Sequence, residues 1–456
     1  MNIPEPGDTR QVAIGSSTIG TAPGPAPEQA TEPDAPPAGP DRAWGATRPL
    51  RLSGTAHLKP LVRASAMPDP RAFYDELERE WGEVAPVELE PGVPAWLVMG
   101  QRLVYDVMRN EHLFATDPRT WNGHARGGLP VTSGLRPAFT SHQRFAANHS
   151  DGALRQRLRE PLDDAFEQIS EGITASKVRS FCNLLIDRFE DRGRADLMLE
   201  YASVVPFLVV ADLIGFDPDD GQRLFDLTRR VAGGGTDAAP AVAEADRMLG
   251  SLVALRREHP RRDLASALVA HPNMRADAEV VHTLLAVAYS GNLTLTAWVA
   301  QTLLLTLADP RFSGRLHGGR IDLDNAMDEV LWRSTPTVNA PPRFARQDMV
   351  LDGKLVAAGD PLVLSIHAAN TDPRMDTGDP WDHVGSRAHV SFGTGAHACP
   401  APRTARVIAR IAVETLLRRL DVVLRVPVGE IAWDETLWIR QPTRLPVTFE
   451  PTVESA

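Results

Sequence analysis

From Val280 to Ala308 the chain runs 29 residues without Asp, Glu, Lys or Arg, and that stretch limits what the rest of the protein can be. A helix of this length rises about 1.5 Å per residue, enough to cross a bilayer or to run through the middle of a large domain. Ser290, Gly291, Asn292, Thr294 and Thr296 sit at its centre, and no second hydrophobic segment accompanies it. A helix apolar on every face is also what a large core contains, so the stretch is read as a buried core helix and no membrane span is assigned. Gly291 costs about 1 kcal/mol relative to alanine in a helix interior. Gly291 and Asn292 are therefore expected to break the helix and leave a gap that something fills.

The remaining composition is ordinary for a domain able to surround such a helix, with 43% hydrophobic and 23% charged residues among 456. The net charge of −11 leaves no basic footprint for nucleic acid. Residues 1–45 hold nine of the 38 prolines and too little apolar surface to offset ordering entropy, so they are expected to form a disordered extension. Residues 46–456 are expected to form one domain. The N-terminus has neither a basic n-region nor an apolar core, so no signal peptide or anchor is expected.

The second constraint is Phe392-Gly393-Thr394-Gly395-Ala396-His397-Ala398-Cys399. Gly393 and Gly395 suit a loop that places N–H groups around a sulfur and admits a flat ligand closely. An apolar helix follows, and its N-terminus would face a thiolate. His-x-Cys is also half of a zinc site, but zinc needs more ligands at suitable spacing and the chain has two cysteines. The other, Cys182, lies on a helical pattern and reads as core packing. Two distant cysteines make no disulfide framework, which fits a reducing cytoplasm.

Phe-Gly-x-Gly-x-His-x-Cys followed by Ala405-Arg406 resembles the haem-binding loop of the cytochrome P450 superfamily. The resemblance covers about residues 60–452. It implies a mainly α fold with small β-sheets, a triangular prism with haem b between a long central helix and the cysteine-loop helix. It also implies that Cys399 is the proximal iron ligand, with Phe392, Gly393 and Gly395 shaping its loop, and that His397 contacts a propionate. Arg155 and Arg159, four apart on one helical face, and Arg343 match the family's other propionate partners. Arg157 points elsewhere, and Arg346 reads as a surface charge. Gly291 and Thr294 fall in the oxygen-binding groove.

The departures from the family pattern are specific. Ala401, between Pro400 and Pro402, replaces the usual glycine. Ser290-Gly291-Asn292-Leu293-Thr294 keeps the threonine but has leucine where an acid backs it, so water or substrate hydroxyls must relay protons, or the oxidant couples radicals. Glu329-x-x-Trp332 replaces Glu-x-x-Arg, and Gly385 stands where a third arginine is usual. Arg333 and Arg387 are the candidates to compensate. The pattern resembles an actinobacterial subgroup with tryptophan at that position.

The implied activity is hydroxylation or oxidative coupling of a small natural product, with a catalytically silent haem-binding or ligand-sequestering protein as the alternative. Electrons are expected from a ferredoxin and a ferredoxin reductase on separate chains, steered by Arg403, Arg406 and Arg410 on one helical stripe. The irregular segment from Phe114 to Asn148 is expected to cover the substrate pocket.

Overall fold

The uncharged stretch lies within one helix, and about half of the other long helices pack against it. The computed structural model describes residues 50–451 apart from 56, 131, 141–144, 234–235, 310–311, 313–322 and 376–384. The extension expected over residues 1–45 lies outside these. The longer helices are α1 (Arg71–Trp81), α2 (Gln101–Arg109), α3 (Gly152–Glu167), α4 (Glu171–Ile186), α5 (Val204–Ile214), α6 (Pro218–Gly233), α7 (Ala238–Glu258), α8 (Leu264–Ala270), α9 (Asp277–Ala308), α10 (Leu323–Arg333) and α11 (Pro402–Arg419). The strands are β1 (Lys59–Pro60), β2 (Val84–Glu90), β3 (Val93–Val98), β4 (Phe114–Ala115), β5 (Arg194–Asp196), β6 (Asn339–Ala345), β7 (Met349–Leu351), β8 (Lys354–Val356), β9 (Pro361–Ser365), β10 (Val423–Leu424) and β11 (Pro446–Thr448).

Helix α9 contacts α5, α7, α10 and α11. Its Leu284, Leu295, Trp298 and Leu303 share one apolar cluster with Leu185, Val209, Leu249 and Leu416, so these positions are packed into protein as a core helix requires. Cys182 belongs to the same cluster, and burial pushes its thiol up to about 12. The expected break does not occur, because α9 is continuous through residues 290–294. A Cβ added at Gly291 would stand 3.6 Å from Val210, an ordinary contact. Close packing against protein is therefore not what requires glycine there.

The main sheet has the strand order β1-β2-β3-β9-β6-β4. Pairing of Phe114 with Ala345 and of Ala115 with Phe344 brings the segment after α2 beside Arg343, which is paired with Leu362 in the same sheet. Trp96 is fully buried there, and its indole N–H donates to Asp360 at 3.1 Å. The connection from 116 to 148 is irregular where it is described, pinned by Trp121 against Phe139 at 4.9 Å between ring centres.

Candidate active site

The cysteine loop is closed by its own backbone. Cys399 N–H donates to the Phe392 carbonyl at 2.8 Å, and Gly393 N–H to Val390 at 2.8 Å. Gly393 (φ 67) and Gly395 (φ 72) are both left-handed, a conformation that glycine adopts without the usual Cβ penalty. A Cβ at Gly395 would also come within 3.1 Å of the Met108 carbonyl oxygen, so α2 approaches the loop closely. Among the described residues one N–H reaches the sulfur, that of Ala401 at 3.4 Å. Pro400 and Pro402 have none to offer, and Pro402 occupies the first turn of α11, where its fixed φ is pre-organised. Burial raises the Cys399 thiol, with the Ala401 N–H and Arg159 opposing. The residue nevertheless keeps accessible surface.

Beside the loop, Arg155 and Arg343 lie near His397, together with two carboxylates that the sequence reading missed. His397 Nε2 lies 3.0 Å from Glu111 Oε1 and 3.8 Å from Asp151 Oδ1. Burial, with Arg343, Arg155 and Arg159 nearby, lowers the imidazole to about 3, so the ring is neutral at pH 7. Asp151 accepts from Thr116 N–H at 2.9 Å, from the Thr116 hydroxyl at 2.6 Å and from Arg346 Nη2 at 2.9 Å. Arg346 is therefore a partner of this cluster and not a bare surface charge. Arg155 Nη1 donates to the Ala396 carbonyl at 2.5 Å, and its Nε is 3.6 Å from Glu111. Arg159 pairs one turn along α3 with Asp163 at 2.6 Å. Arg157 points away to Glu279 at 2.7 Å.

Arg343 differs from these arginines. Its guanidinium makes no hydrogen bond or ion pair with any described residue, and burial pushes it down to about 10 against the pull of Asp151 and Glu111. An unpaired, partly buried cation is costly unless an anion meets it.

The other flank of the loop is rebuilt relative to the expected charge pattern. Glu329 pairs with Arg333 one turn along α10 at 3.1 Å, while Trp332 donates its indole N–H to the Ser386 carbonyl at 2.9 Å. Arg387 and Arg406 both turn to Asp328. This corrects the reading of Arg403, Arg406 and Arg410 as one stripe that steers an electron donor, because Arg406 is directed inward and only 17% exposed. Arg403 and Arg410 remain at the surface.

At the middle of α9, Ser290 is exposed and Gly291, Leu293 and Thr294 are partly so, although the residues that follow, Leu295 to Ala300, are buried. The Thr294 hydroxyl donates to the Ser290 carbonyl at 2.8 Å, a back-bond to its own helix. Phe392 meets α9 through Trp298, ring centres 5.7 Å apart. A partly exposed cysteine whose sulfur meets one N–H donor, a guanidinium beside its loop with no partner among the described residues, and an uncovered patch in mid-helix suit an anionic, planar, iron-bearing ligand such as haem.

No family model matches the chain. It is similar to cytochrome P450-SU2 of Streptomyces griseolus, 30% identical over 86% of this chain and 96% of that protein. It is also similar to nocardicin C N-oxygenase of Nocardia uniformis subsp. tsuyamanensis, 31% identical over 80% of this chain and 92% of the relative. Among solved structures it is similar to the myxobacterial cytochrome P450 CYP267B1 in complex with myristic acid, with a TM-score of 0.75, 26% identity and coverage of 85% of this chain and 98% of that one. Matches of this identity across nearly the full length of the relatives, together with the shared fold, make the chain a member of the cytochrome P450 family.

Proposed function

We propose that this P450, a monooxygenase by family, uses haem b held by Cys399 to hydroxylate or oxidatively couple a small natural-product scaffold. The observation that carries the reading is Cys399, partly exposed in a glycine-bounded loop beside Arg343, a cation with no partner among the described residues. Bound haem would supply a redox-active iron that activates dioxygen.

The chain's own residues account for the rest. Cys399 supplies anionic charge to the metal, and the Ala401 N–H tempers the sulfur's basicity. Arg343, Arg155, Arg159 and His397 would take the two propionates, with Arg343 the member left without a partner among the described residues. Thr294 donates to Ser290 and so presents its lone pairs outward, where it can accept from and orient a water at the uncovered face of α9. Leu293 passes no proton, so that water or a substrate hydroxyl must deliver it. This favours substrates that bring a hydroxyl or amine, and it leaves coupling open beside hydroxylation. The exposed Arg403 and Arg410 suit an acidic electron donor, which we assign to a ferredoxin served by its reductase in the cytoplasm.

The reduced, CO-bound absorption spectrum tests the reading. A Soret band shifted far to the red in the wild type and lost in Cys399→Ser is the expected result. A band typical of neutral axial ligands in the wild type would overturn thiolate ligation and leave a silent haem binder. Oxygen-18 from O₂ in the product would select hydroxylation over pure coupling.

A further inference from the structure

Asp328 stands one residue before Glu329 on α10, with 2% of its side chain exposed. A carboxylate this deep needs donors to offset its lost hydration, and two guanidiniums meet it. Arg406 Nη2 donates to Oδ1 at 2.6 Å, and Arg387 Nε donates to Oδ2 at 3.4 Å. Arg406 stands in α11, seven residues beyond Cys399, while Arg387 lies in the segment that leads into the cysteine loop. A single carboxylate thus anchors both the chain entering the loop and the chain leaving it.

The contact continues to α9. The Arg406 guanidinium lies 5.5 Å over the Trp298 ring. Trp298 in turn donates to the Met327 carbonyl at 3.1 Å and meets Phe392, whose carbonyl accepts the Cys399 N–H. Glu329, the carboxylate at the expected position, pairs along its own helix with Arg333.

We propose that Asp328 is the positioning residue of the cysteine loop: acting mainly through Arg406 and less through Arg387, its charge sets where the Cys399 sulfur stands relative to α9. The proposal rests on Cys399 being the iron ligand. Its readout is spectroscopic and distinct from turnover.

In the holoenzyme, Asp328→Asn keeps the shape and removes the charge. The far-red, thiolate-type band of the reduced, CO-bound protein should then decay about tenfold faster than in the wild type, the scale on which removing a ligand's supporting partner is felt. Asp328→Glu keeps the charge and should recover most of the lifetime. Arg387→Gln should do less than Asp328→Asn, since that arginine is 62% exposed. Arg256→Gln is the control, because it breaks another buried pair, Arg256 with Asp263 at 2.5 Å, between α7 and the cap of α8. It should lower the melting temperature and leave the band's lifetime unchanged.

If Asp328→Asn and Arg256→Gln have the same band lifetime, Asp328 serves stability alone and the proposal fails. If Asp328→Asn yields no folded protein, Arg406→Lys against Arg406→Gln decides. A longer-lived band in the lysine variant supports the proposal, and equal lifetimes overturn it. A wild type without the far-red band overturns the ligand reading itself, and the positioning role with it.

Discussion

Arginines flank the cysteine loop on two sides, and the two sets are held in opposite ways. Beneath the loop, Arg406 and Arg387 converge on the buried Asp328, so charge there is closed within the protein. At the other flank Arg155 and Arg346 are partly engaged by Glu111 and Asp151, while Arg343 has no partner among the described residues. Burial costs a charge the same in both places, so the difference lies in what compensates it. A closed network stabilises the polypeptide, whereas an unclosed one is poised for an anion from outside.

This contrast predicts stability effects of opposite sign. Asp328→Asn strands Arg406 and should cost about 3 kcal/mol in urea unfolding of the protein, the range for breaking a buried pair. Arg343→Gln should leave the haem-free protein unharmed or stabilise it by about 1 kcal/mol, since an uncompensated charge is removed. The same substitution should speed haem transfer to an acceptor protein by about 10- to 100-fold, as for loss of a supporting partner. If Arg343→Gln destabilised the haem-free protein as much as Asp328→Asn, the distinction between closed and open networks would be wrong.

How far the sequence reached depended on chain distance. The cysteine loop is one contiguous segment, and an uncharged run long enough to be α9 can be seen without knowing its neighbours. Arg155 and Arg343 are singled out by the family resemblance, helical spacing alone leaving Arg155 as easily a solvated face, and both stand near His397. Glu111 and Asp151 were missed because only the pairing of β4 with β6 brings the first beside Arg343, and the opening of α3 reads simply as a helix start. Asp328 was missed for a subtler reason. It is adjacent to Glu329, and about 100° of helical rotation separates them. Which of the two faces the loop depends on how α10 packs against α11, and the direction of Arg406 depends on the same packing, because it is Asp328 that meets its guanidinium.

Thr294 tests whether a hydroxyl already bonded within the protein can still serve an external reaction. Its donor is committed to Ser290, yet its acceptor capacity is free to orient water. Thr294→Val should slow product formation about tenfold, below the usual range for a positioned proton donor because no carboxylate backs it. The CO-bound spectrum should be unchanged, since the substitution touches neither charge network. An undiminished rate would reduce the threonine to a helix residue and move the proton source wholly to substrate.

His367 sharpens the comparison from a third direction, as a buried group with no hydrogen-bond partner on either ring nitrogen among the described residues that, unlike Arg343, escapes by being neutral. Burial first, then Arg440 and Arg71, lowers its imidazole to about 3. An unfolded chain would protonate it below 6.5, so the unfolded state binds more protons in the window from 6.5 down to about 3. Stability is therefore full above 6.5 and declines as pH falls through that window. His367→Leu should remove about 1 kcal/mol of the loss seen between about pH 7 and about pH 5.5, by linkage. Urea midpoints across that range measure it, and a variant whose stability falls as steeply as the wild type would show that the imidazole is charged in the folded protein. It would then have to be answered by an anion, as Arg343 is expected to be.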